Sequence, residues 1–348
     1  MTKIAILGAG SWGTALSVIL FRARKPHEVS LWAHNAAIAE TLRDRHENNL
    51  YLPGISLPAA VRVTTEMPEA LTNAKVVIGA IPSAHARAVY SQALPCVTPE
   101  MVFVSATKGL EPATHLRMST VLTQVLAKAG TADLSQRIAV LSGPSFAAEA
   151  ARGEPTAVVI ASQYKYVPLG LRRYSQLADN LQEELSGPSF RMYTNDDVLG
   201  VELAGAMKNV MAIAAGACQG LGLGSNPLAA LITRGLAEMT RLAVALGARA
   251  ETLSGLAGLG DLVLTCTGSL SRNRRVGIEL AKGRQLPEVL AHMRMVAEGV
   301  GTAAPLLALA REQQIEMPIT EQVDAILHHG KAPKDAIREI MDRPLKRE

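Results

Sequence analysis

The sequence predicts a doubly wound α/β domain over residues 1–194, followed by an all-α domain over residues 195–348. Up to Thr194, short apolar runs rich in β-branched residues alternate with helical stretches. These runs are continuously apolar rather than alternating, which is typical of a parallel sheet covered on both faces. After Thr194 the runs stop, and segments rich in Ala, Leu and Gly follow. A length of 348 residues also favours two domains, because one hydrophobic core rarely serves so long a chain.

In the first domain, strands and helices are predicted in alternation. The strands cover residues 3–7, 29–32, 61–63, 76–80, 102–105, 138–141, 157–161 and 191–193. The helices cover residues 14–24, 85–93, 116–128 and 169–185.

In the second domain, only helices are predicted. Asn195, Asp196 and Asp197 are candidate N-caps for a long first helix. The helices cover residues 198–218, 227–246, 274–282, 287–295, 302–313, 321–328 and 333–341.

Composition excludes several classes of protein. With 48% hydrophobic and 19% charged residues, the chain is neither disordered nor collagen-like. A net charge of +4 spread over this length produces only a weak electrostatic field, and the sequence contains no basic block with interleaved aromatic residues. The densest cluster, Arg272, Arg274 and Arg275, suits a small anion better than nucleic acid. Three scattered cysteines form no CxxC pair, so we expect no disulfide framework, no zinc site and a cytoplasmic location.

The uncharged stretch 4–21 superficially resembles a signal peptide or a short membrane span. Its glycines, serine and threonine, and the absence of a clear cleavage site, favour a nucleotide-binding strand, turn and helix. Within it, Gly8, Gly10 and Gly13 match G-x-G-x-x-G between a predicted strand and a predicted helix. The first glycine would allow the tight turn, the second would admit a pyrophosphate, and the third would let the helix pack on the strand. The glycine-rich runs 220–222 and 255–258 follow no strand and are interpreted as helix breaks or close-packing points.

The second predicted strand bears on the choice between NAD and NADP. An acidic residue at its end would bind the adenosine ribose of NAD. The segment 29–35 carries no Asp or Glu at that place, so NADP is admissible. His34 would approach a 2′-phosphate there, or it is a plain surface residue.

Lys208 lies in a helix on the same face as Ala204, Gly205, Ala212 and Ala215. Such small neighbours predict a close-packed contact, where desolvation would lower the pKa of the lysine and suit it to general acid/base chemistry. The alternative is a lysine at the helix edge with its charged end in solvent.

Two groups of polar residues follow predicted strands at their carboxyl ends, where doubly wound folds bind ligands. They are Lys108 within residues 105–109, and Ser145 within residues 142–147. Ser145 lacks the closing glycine of the hydrolase pattern G-x-S-x-G, so it is not predicted to be a nucleophile. Each group would otherwise be an ordinary strand-to-helix turn.

A third group joins Asp261 to Ser271, Arg272 and Asn273. Hydroxyls, amides and arginine near a helix start provide donors for a phosphate. A solvated basic helix end would look the same in sequence. No HExxH or other metal-type spacing occurs, so no metal is expected.

Taken together, the motifs in residues 8–13, 105–109, 142–149, 195–209, 256–261 and 271–277 resemble the bacterial-type NAD(P)-dependent glycerol-3-phosphate dehydrogenases. Glu298-Gly299 and the ending 333–341 are also similar to that family. The resemblance covers nearly the whole chain and is weakest over residues 162–188.

The resemblance implies a Rossmann-type domain followed by a helical domain similar to the C-terminal one of 6-phosphogluconate dehydrogenase. It also implies reversible reduction of dihydroxyacetone phosphate to sn-glycerol 3-phosphate for phospholipid synthesis. It makes Lys208 the catalytic proton donor and acceptor. The substrate would be held by Lys108, Gly143, Ser145, Lys208, Asp261, Ser271, Arg272 and Asn273. NAD or NADP would be bound by Gly8, Gly10, Ser11, Trp12, Gly13, His34, Lys108, Ala147, Arg272, Val296 and Glu298.

Two alternatives stay open at this point. One is a related two-domain dehydrogenase of a 3-hydroxy acid or a sugar acid phosphate, and the other is a non-catalytic nucleotide-sensing protein. We expect no nucleic-acid partner and no membrane span, and the glycine-rich helices would permit a homodimer.

Overall fold

The computed structural model describes residues 1–129, 137–163, 176–345 and 347. The chain divides into two compact units, Met1–Glu202 and Leu203–Glu348. The boundary predicted after Thr194 falls inside the last strand of the first unit, whereas the two units meet inside the helix that follows.

The first unit is built on an eight-stranded sheet, counted over the described residues, in the order β10-β9-β8-β7-β6-β1-β2-β5. Neighbouring strands are parallel, except for β8 and β9, which run antiparallel. A separate antiparallel hairpin is formed by β3 and β4. The strands are β1 (Thr2–Leu7), β2 (His27–Trp32), β3 (Glu47–Asn48), β4 (Leu52–Ser56), β5 (Arg62–Thr64), β6 (Val76–Gly79), β7 (Val102–Ser105), β8 (Ile138–Ser142), β9 (Thr156–Ala161) and β10 (Phe190–Asn195).

Helices cover both faces of this sheet. They are α1 (Ser11–Phe21), α2 (Ala36–Arg45), α3 (Met67–Leu71), α4 (Ser83–Ala93), α5 (Met118–Leu126), α6 (Ala147–Arg152) and α7 (Gln176–Leu185). Ile4 and Ile6 of β1 join the core that includes Leu16 of α1, while Ala5 and Leu7 join the core that includes Leu122 of α5. Successive strand residues thus serve two opposite cores, which confirms the doubly wound α/β prediction.

Two details of the first unit differ from the prediction. The strands β9 and β10 run antiparallel to the rest of the sheet, although a parallel sheet was expected, because an apolar run carries no sequence signal of its direction. The hairpin β3–β4 and the short helices α2, α3 and α6 were not predicted. In the predicted helix 169–185, residues 169–175 lie outside the described residues, and the described part is α7.

In the described part of the second unit, every regular element is a helix or helical turn. The helix α8 (Val198–Gly220) enters it from the first unit. The others are α9 (Ser225–Ala245), α10 (Ala250–Ser254), a π-helical turn (Leu256–Gly260), α11 (Asp261–Thr267), α12 (Arg272–Ala281), α13 (Leu286–Ala291), α14 (Glu298–Glu312), α15 (Pro318–His328) and α16 (Pro333–Met341).

The backbones of α8 and α12 touch where glycines face each other's helix. A Cβ on Gly216 would lie 1.9 Å from the carbonyl oxygen of Arg274, and a Cβ on Gly277 would lie 1.9 Å from that of Ile213. Only glycine permits this approach, which brings the start of α12 beside the helix that carries Lys208. Among the described residues, α8 is also the one helix long and apolar enough to cross a membrane, and 83% of its apolar stretch is buried inside the protein.

Candidate functional site

The glycine-rich segment forms a tight turn between β1 and α1. Gly8 has a φ of +113°, and a Cβ there would lie 2.6 Å from the carbonyl oxygen of Ala80. A Cβ on Gly13 would lie 1.8 Å from the carbonyl oxygen of Gly8. Beside Gly10, by contrast, no described residue other than its chain neighbours lies within 4 Å of a Cβ position. Two glycines therefore close the turn, and the third leaves the open space that a pyrophosphate group needs.

Asn48, a residue that the sequence analysis missed, holds this turn from the hairpin β3–β4. Its buried side-chain amide donates to the carbonyl oxygen of Ala9 at 2.9 Å and to Thr14 Oγ1 at 2.8 Å. In the sequence, Asn48 is one polar residue in a stretch to which no strand or helix is assigned.

The end of β2 places His34 on the surface. Its ring centroid lies 5.9 Å from that of Trp32, and Asn35 caps α2 by accepting from the backbone N–H groups of Ala37 and Ile38. Near the glycine turn, Ser11 and Trp12 are half-buried, and the Trp12 ring packs against Phe190 with centroids 6.4 Å apart.

The carboxyl ends of β7 and β8 bring Lys108, Gly143 and Ser145 together. Lys108 Nζ donates to the Gly143 carbonyl oxygen at 2.8 Å, and Ser145 Oγ donates to the same oxygen at 2.9 Å. Gly143 has a φ of +129°, which favours glycine. Ala147, predicted to line the cofactor site, is the first residue of α6 just beyond this turn.

The loop that carries Lys108 is anchored behind the site. Arg87 on α4 donates to both carboxylate oxygens of Glu111, at 2.7 Å each. This hydrogen-bonded arginine holds the pKa of Glu111 below its usual range, although burial of the carboxyl opposes the shift. A bidentate pair of this kind fixes the loop three residues beyond the lysine.

In the second unit, Lys208 is buried, with 6% of its surface exposed. Its Nζ lies 2.5 Å from Asp261 Oδ1 and 2.8 Å from Thr265 Oγ1. Thr265 in turn donates to the backbone carbonyl oxygen of Asp261 at 2.6 Å, so one turn of α11 supplies both partners. The close-packed environment predicted for Lys208 is therefore present, and the negative charge of Asp261 favours the protonated lysine.

The sequence places Lys208 and Asp261 together only as substrate-holding residues implied by the resemblance, and it gives no signal for Thr265. The spacing of Asp261 and Thr265 at i and i+4 would have placed them on one helix face, had α11 itself been predicted. The tight turn before α11 depends on Gly258, where a Cβ would lie 2.0 Å from the carbonyl oxygen of Leu253.

The start of α12 assembles the predicted phosphate-binding residues. Ser271 caps the helix by accepting from the Arg274 backbone N–H at 3.2 Å. Asn273 Nδ2 donates to Asn209 Oδ1 at 2.9 Å, and Asn273 Oδ1 accepts from the Gly299 N–H at 3.0 Å. The amide of Asn273 thus connects α12 to α8 and to the start of α14.

Arg272 is the first residue of α12 and is exposed at this helix start. The surrounding protein lowers the pKa of Arg272 by desolvation, Glu298 opposes the shift, and the group stays charged because arginine starts from so high a value. Glu298 is the first residue of α14, and Val296, just before it, is exposed.

The chain is similar to proteins of one kind over almost its full length. Residues 3–167 match the profile described as NAD-dependent glycerol-3-phosphate dehydrogenase N-terminus, and residues 197–338 match the corresponding C-terminus. A glycerol-3-phosphate dehydrogenase [NAD(P)+] of Koribacter versatilis is 53% identical, covering 99% of this chain and 98% of the relative. One from Acidobacterium capsulatum is 51% identical, covering 99% of each. The crystal structure of glycerol-3-phosphate dehydrogenase from Coxiella burnetii superposes with a TM-score of 0.88 at 40% identity, covering 98% of this chain and 99% of the other.

Proposed function

The chain belongs to the NAD-dependent glycerol-3-phosphate dehydrogenase family, and we propose that it catalyses the reversible, NAD(P)-dependent reduction of dihydroxyacetone phosphate to sn-glycerol 3-phosphate. The family membership confirms the resemblance carried by the motifs. The observation that carries the proposed chemistry is the buried Lys208, held by Asp261 and Thr265. A charged lysine in such a place costs folding free energy, so a catalytic use accounts for it well.

The cofactor is proposed to bind at the glycine turn of the first unit. The open space beside Gly10 and the N-terminus of α1 suit a pyrophosphate. Other residues proposed to line the cofactor are Ser11, Trp12, His34, Lys108, Ala147, Arg272, Val296 and Glu298. When bound, the nicotinamide ring supplies the hydride that reduces the carbonyl carbon of the substrate.

Lys208 would act as the general acid in the reduction. As the carbonyl carbon is reduced, negative charge develops on the carbonyl oxygen, and the ammonium of Lys208 gives it a proton. Asp261 favours the charged lysine before this step and its reprotonation afterwards, since the nearby carboxylate attracts the ammonium form. Thr265 Oγ1 fixes the position of Nζ. In the oxidative direction, the neutral lysine would accept the same proton.

The phosphate of the substrate is proposed to bind at the start of α12. Arg272 supplies a charged planar donor, and Ser271 and Asn273 supply a hydroxyl and an amide on either side of it in sequence. Lys108, held at the Gly143 carbonyl oxygen beside Ser145, would stabilise the negative charge that develops on the substrate. With these assignments, the basic residues Lys108 and Arg272 would bind an anionic small molecule.

The end of β2 supports NADP as well as NAD. The segment Trp32-Ala33-His34-Asn35 offers no carboxylate that would repel a 2′-phosphate, and His34 is exposed there. We further propose that the enzyme works in the cytoplasm and supplies glycerol 3-phosphate to phospholipid synthesis.

A paired assay tests the proposal. Purified protein is mixed with dihydroxyacetone phosphate and either NADH or NADPH, and the loss of absorbance at the reduced nicotinamide band is followed. We expect oxidation of the cofactor only when the substrate is present. Oxidation with a 3-hydroxy-acid precursor or a sugar acid phosphate instead would favour a related dehydrogenase. Cofactor binding without turnover of any of these substrates would favour a nucleotide-sensing protein and refute the enzyme proposal.

A further inference from the structure

Asn48 occupies an unusual place for a polar side chain. It lies in the two-residue strand β3, it is 2% exposed, and its amide nitrogen donates to two groups 39 and 34 residues away in the sequence. Its Oδ1 accepts from the Tyr51 backbone N–H at 3.1 Å, which ties the amide to its own hairpin. Both N–H donors of the side chain are thus directed at the glycine turn, toward Ala9 O and Thr14 Oγ1.

The contact with Ala9 fixes more than one carbonyl group. The carbonyl of Ala9 and the N–H of Gly10 belong to the same planar peptide unit, and in the trans form they point in opposite directions. When Asn48 holds the carbonyl oxygen on the hairpin side, the Gly10 N–H must point to the other side. The Thr14 N–H donates to the Gly10 carbonyl oxygen at 3.0 Å, which fixes the next peptide unit as well.

Among the described residues, no backbone carbonyl oxygen accepts from the Gly10 N–H, and no atom outside the chain neighbours of Gly10 lies within 4 Å of a Cβ position there. Backbone N–H groups in this kind of turn are the donors that a pyrophosphate accepts from. A turn free to rotate its Ala9–Gly10 peptide would present the carbonyl oxygen to the anion in some conformations, and this would repel it.

We propose that Asn48 is a positioning residue of the cofactor site, which orients the Ala9–Gly10 peptide so that the Gly10 N–H meets the pyrophosphate. The inference rests on the proposed cofactor binding and extends it to a residue outside the glycine motif. A neutral amide is required, because an aspartate would place a carboxylate against the Ala9 carbonyl oxygen and a serine would be too short to reach both acceptors.

The test compares ligands with and without a pyrophosphate. Asn48→Ser and Asn48→Asp are titrated with NADH, NADPH and ADP-ribose, and separately with adenosine 2′-monophosphate, by calorimetry. We expect affinity for the three pyrophosphate ligands to fall roughly tenfold or more, as for one hydrogen bond to a charged group. Affinity for adenosine 2′-monophosphate should change by less than about twofold, because that ligand makes no use of the Gly10 N–H. Asn180→Ser, which changes an exposed asparagine of α7, is the matched control and should bind every ligand as the wild type does.

Thr14→Val separates the two acceptors of Asn48. It removes the hydroxyl at 2.8 Å but leaves the carbonyl oxygen of Ala9, so we expect a smaller loss of pyrophosphate affinity than with Asn48→Ser. An equal loss in Thr14→Val would mean that the effect passes through the α1 side chain rather than the peptide, and it would overturn the proposal.

A measurement on the wild type covers the case in which the Asn48 variants do not fold. In protein labelled with ¹⁵N-glycine, ADP-ribose should shift the Gly10 amide resonance, and adenosine 2′-monophosphate should leave it in place. An unmoved Gly10 resonance, unchanged pyrophosphate affinity in folded Asn48 variants, or an equal loss for all ligands would each refute the inference. If the wild type binds neither NADH nor NADPH, the proposed function itself fails, and the two failures are thereby told apart.

Discussion

Replacing Asp261 with asparagine removes the counter-charge of the buried Lys208 while keeping the shape of the side chain. In the wild type, the lysine and aspartate side chains are 8% and 1% exposed, and Nζ lies 2.5 Å from Oδ1. In Asp261→Asn the lysine must either stay charged without the carboxylate of Asp261 or fold as a neutral amine. The free-energy cost of folding with a neutral lysine depends on pH. Stability measured at several pH values therefore distinguishes the charged lysine from the neutral one.

The expected loss of unfolding free energy follows from the typical cost of breaking a buried ion pair and of deprotonating a lysine. Breaking a buried pair by removing one partner costs about 3–5 kcal/mol. Deprotonating a lysine with an ordinary pKa of about 10.4 costs about 4.6 kcal/mol at pH 7, but only about 1.9 kcal/mol at pH 9. As the pH rises, folding with a neutral lysine therefore becomes less costly than folding with a charged one. We expect Asp261→Asn to lose about 3–5 kcal/mol of unfolding free energy at pH 7 and about 2 kcal/mol or less at pH 9.

The direction in which the stability of Asp261→Asn changes with pH follows from the protonation of Lys208. Without Asp261, burial lowers the pKa of Lys208 in the folded protein below its unfolded value. The unfolded chain then binds a proton that the folded chain does not, so the stability of the variant rises with pH by up to about 1.4 kcal/mol per unit. The wild type keeps the carboxylate that Asp261→Asn removes, so this source of a pH-dependent stability arises only in the variant.

Urea unfolding of the wild type and Asp261→Asn at pH 7, 8 and 9 checks this, with helix content followed by circular dichroism. Thr265→Val is the control, because it removes a hydrogen bond of Lys208 but keeps the ion pair, and its loss should not depend on pH. The same neutralisation should shift the optimum for dihydroxyacetone phosphate reduction by Asp261→Asn to lower pH, where the proton donor is restored. A loss of stability equal at pH 7 and pH 9 would refute the reasoning.

Three further predictions concern single residues. Lys208→Ala should lower turnover of dihydroxyacetone phosphate roughly 10²–10⁴-fold with cofactor affinity unchanged, and near-normal steady-state turnover would reject Lys208 as the proton donor. Arg272→Ala should chiefly raise the KM for dihydroxyacetone phosphate, and an unchanged KM would argue against a phosphate contact. Glu238 accepts from the N–H groups of Ile319 and Thr320 at 2.9 Å each, so Glu238→Ala should lower the unfolding free energy by about 1–3 kcal/mol for each buried donor left unpaired. Wild-type stability of Glu238→Ala in urea would contradict this.

The fold was predictable where local pattern determines it. Apolar runs between helical stretches identify the strands of the main sheet, and the loss of such runs after Thr194 identifies the helical half. Strand direction has no such signal, which is why β9 and β10, antiparallel to the other strands of the sheet, were expected to be parallel. The strand β3 has two residues, too few for any periodicity, so the hairpin that holds Asn48 had no pattern to reveal it.

The candidate site was predictable where a motif carries its own chemistry. The spacing of Gly8, Gly10 and Gly13 predicts a phosphate-binding turn, and Lys208 is a charged residue among small ones. Their partners are ordinary polar residues far away in the sequence. Asp261 is 53 residues from Lys208, and Asn48 is 39 residues from Ala9. No local pattern links residues at such separations, and only folding brings them together.

The scarcity of aromatic residues is tied to this site through backbone contact. A Cβ on Gly277 would lie 1.9 Å from the carbonyl oxygen of Ile213, so any larger residue would force α12 away from α8. That contact fixes the position along α8 at which α12 begins. It therefore also places Asn273 within hydrogen-bonding distance of Asn209, the residue next to Lys208. Bulky side chains between these helices would separate the proposed phosphate-binding residues from the proton donor. Small residues here are therefore a requirement of the proposed chemistry as well as of the packing.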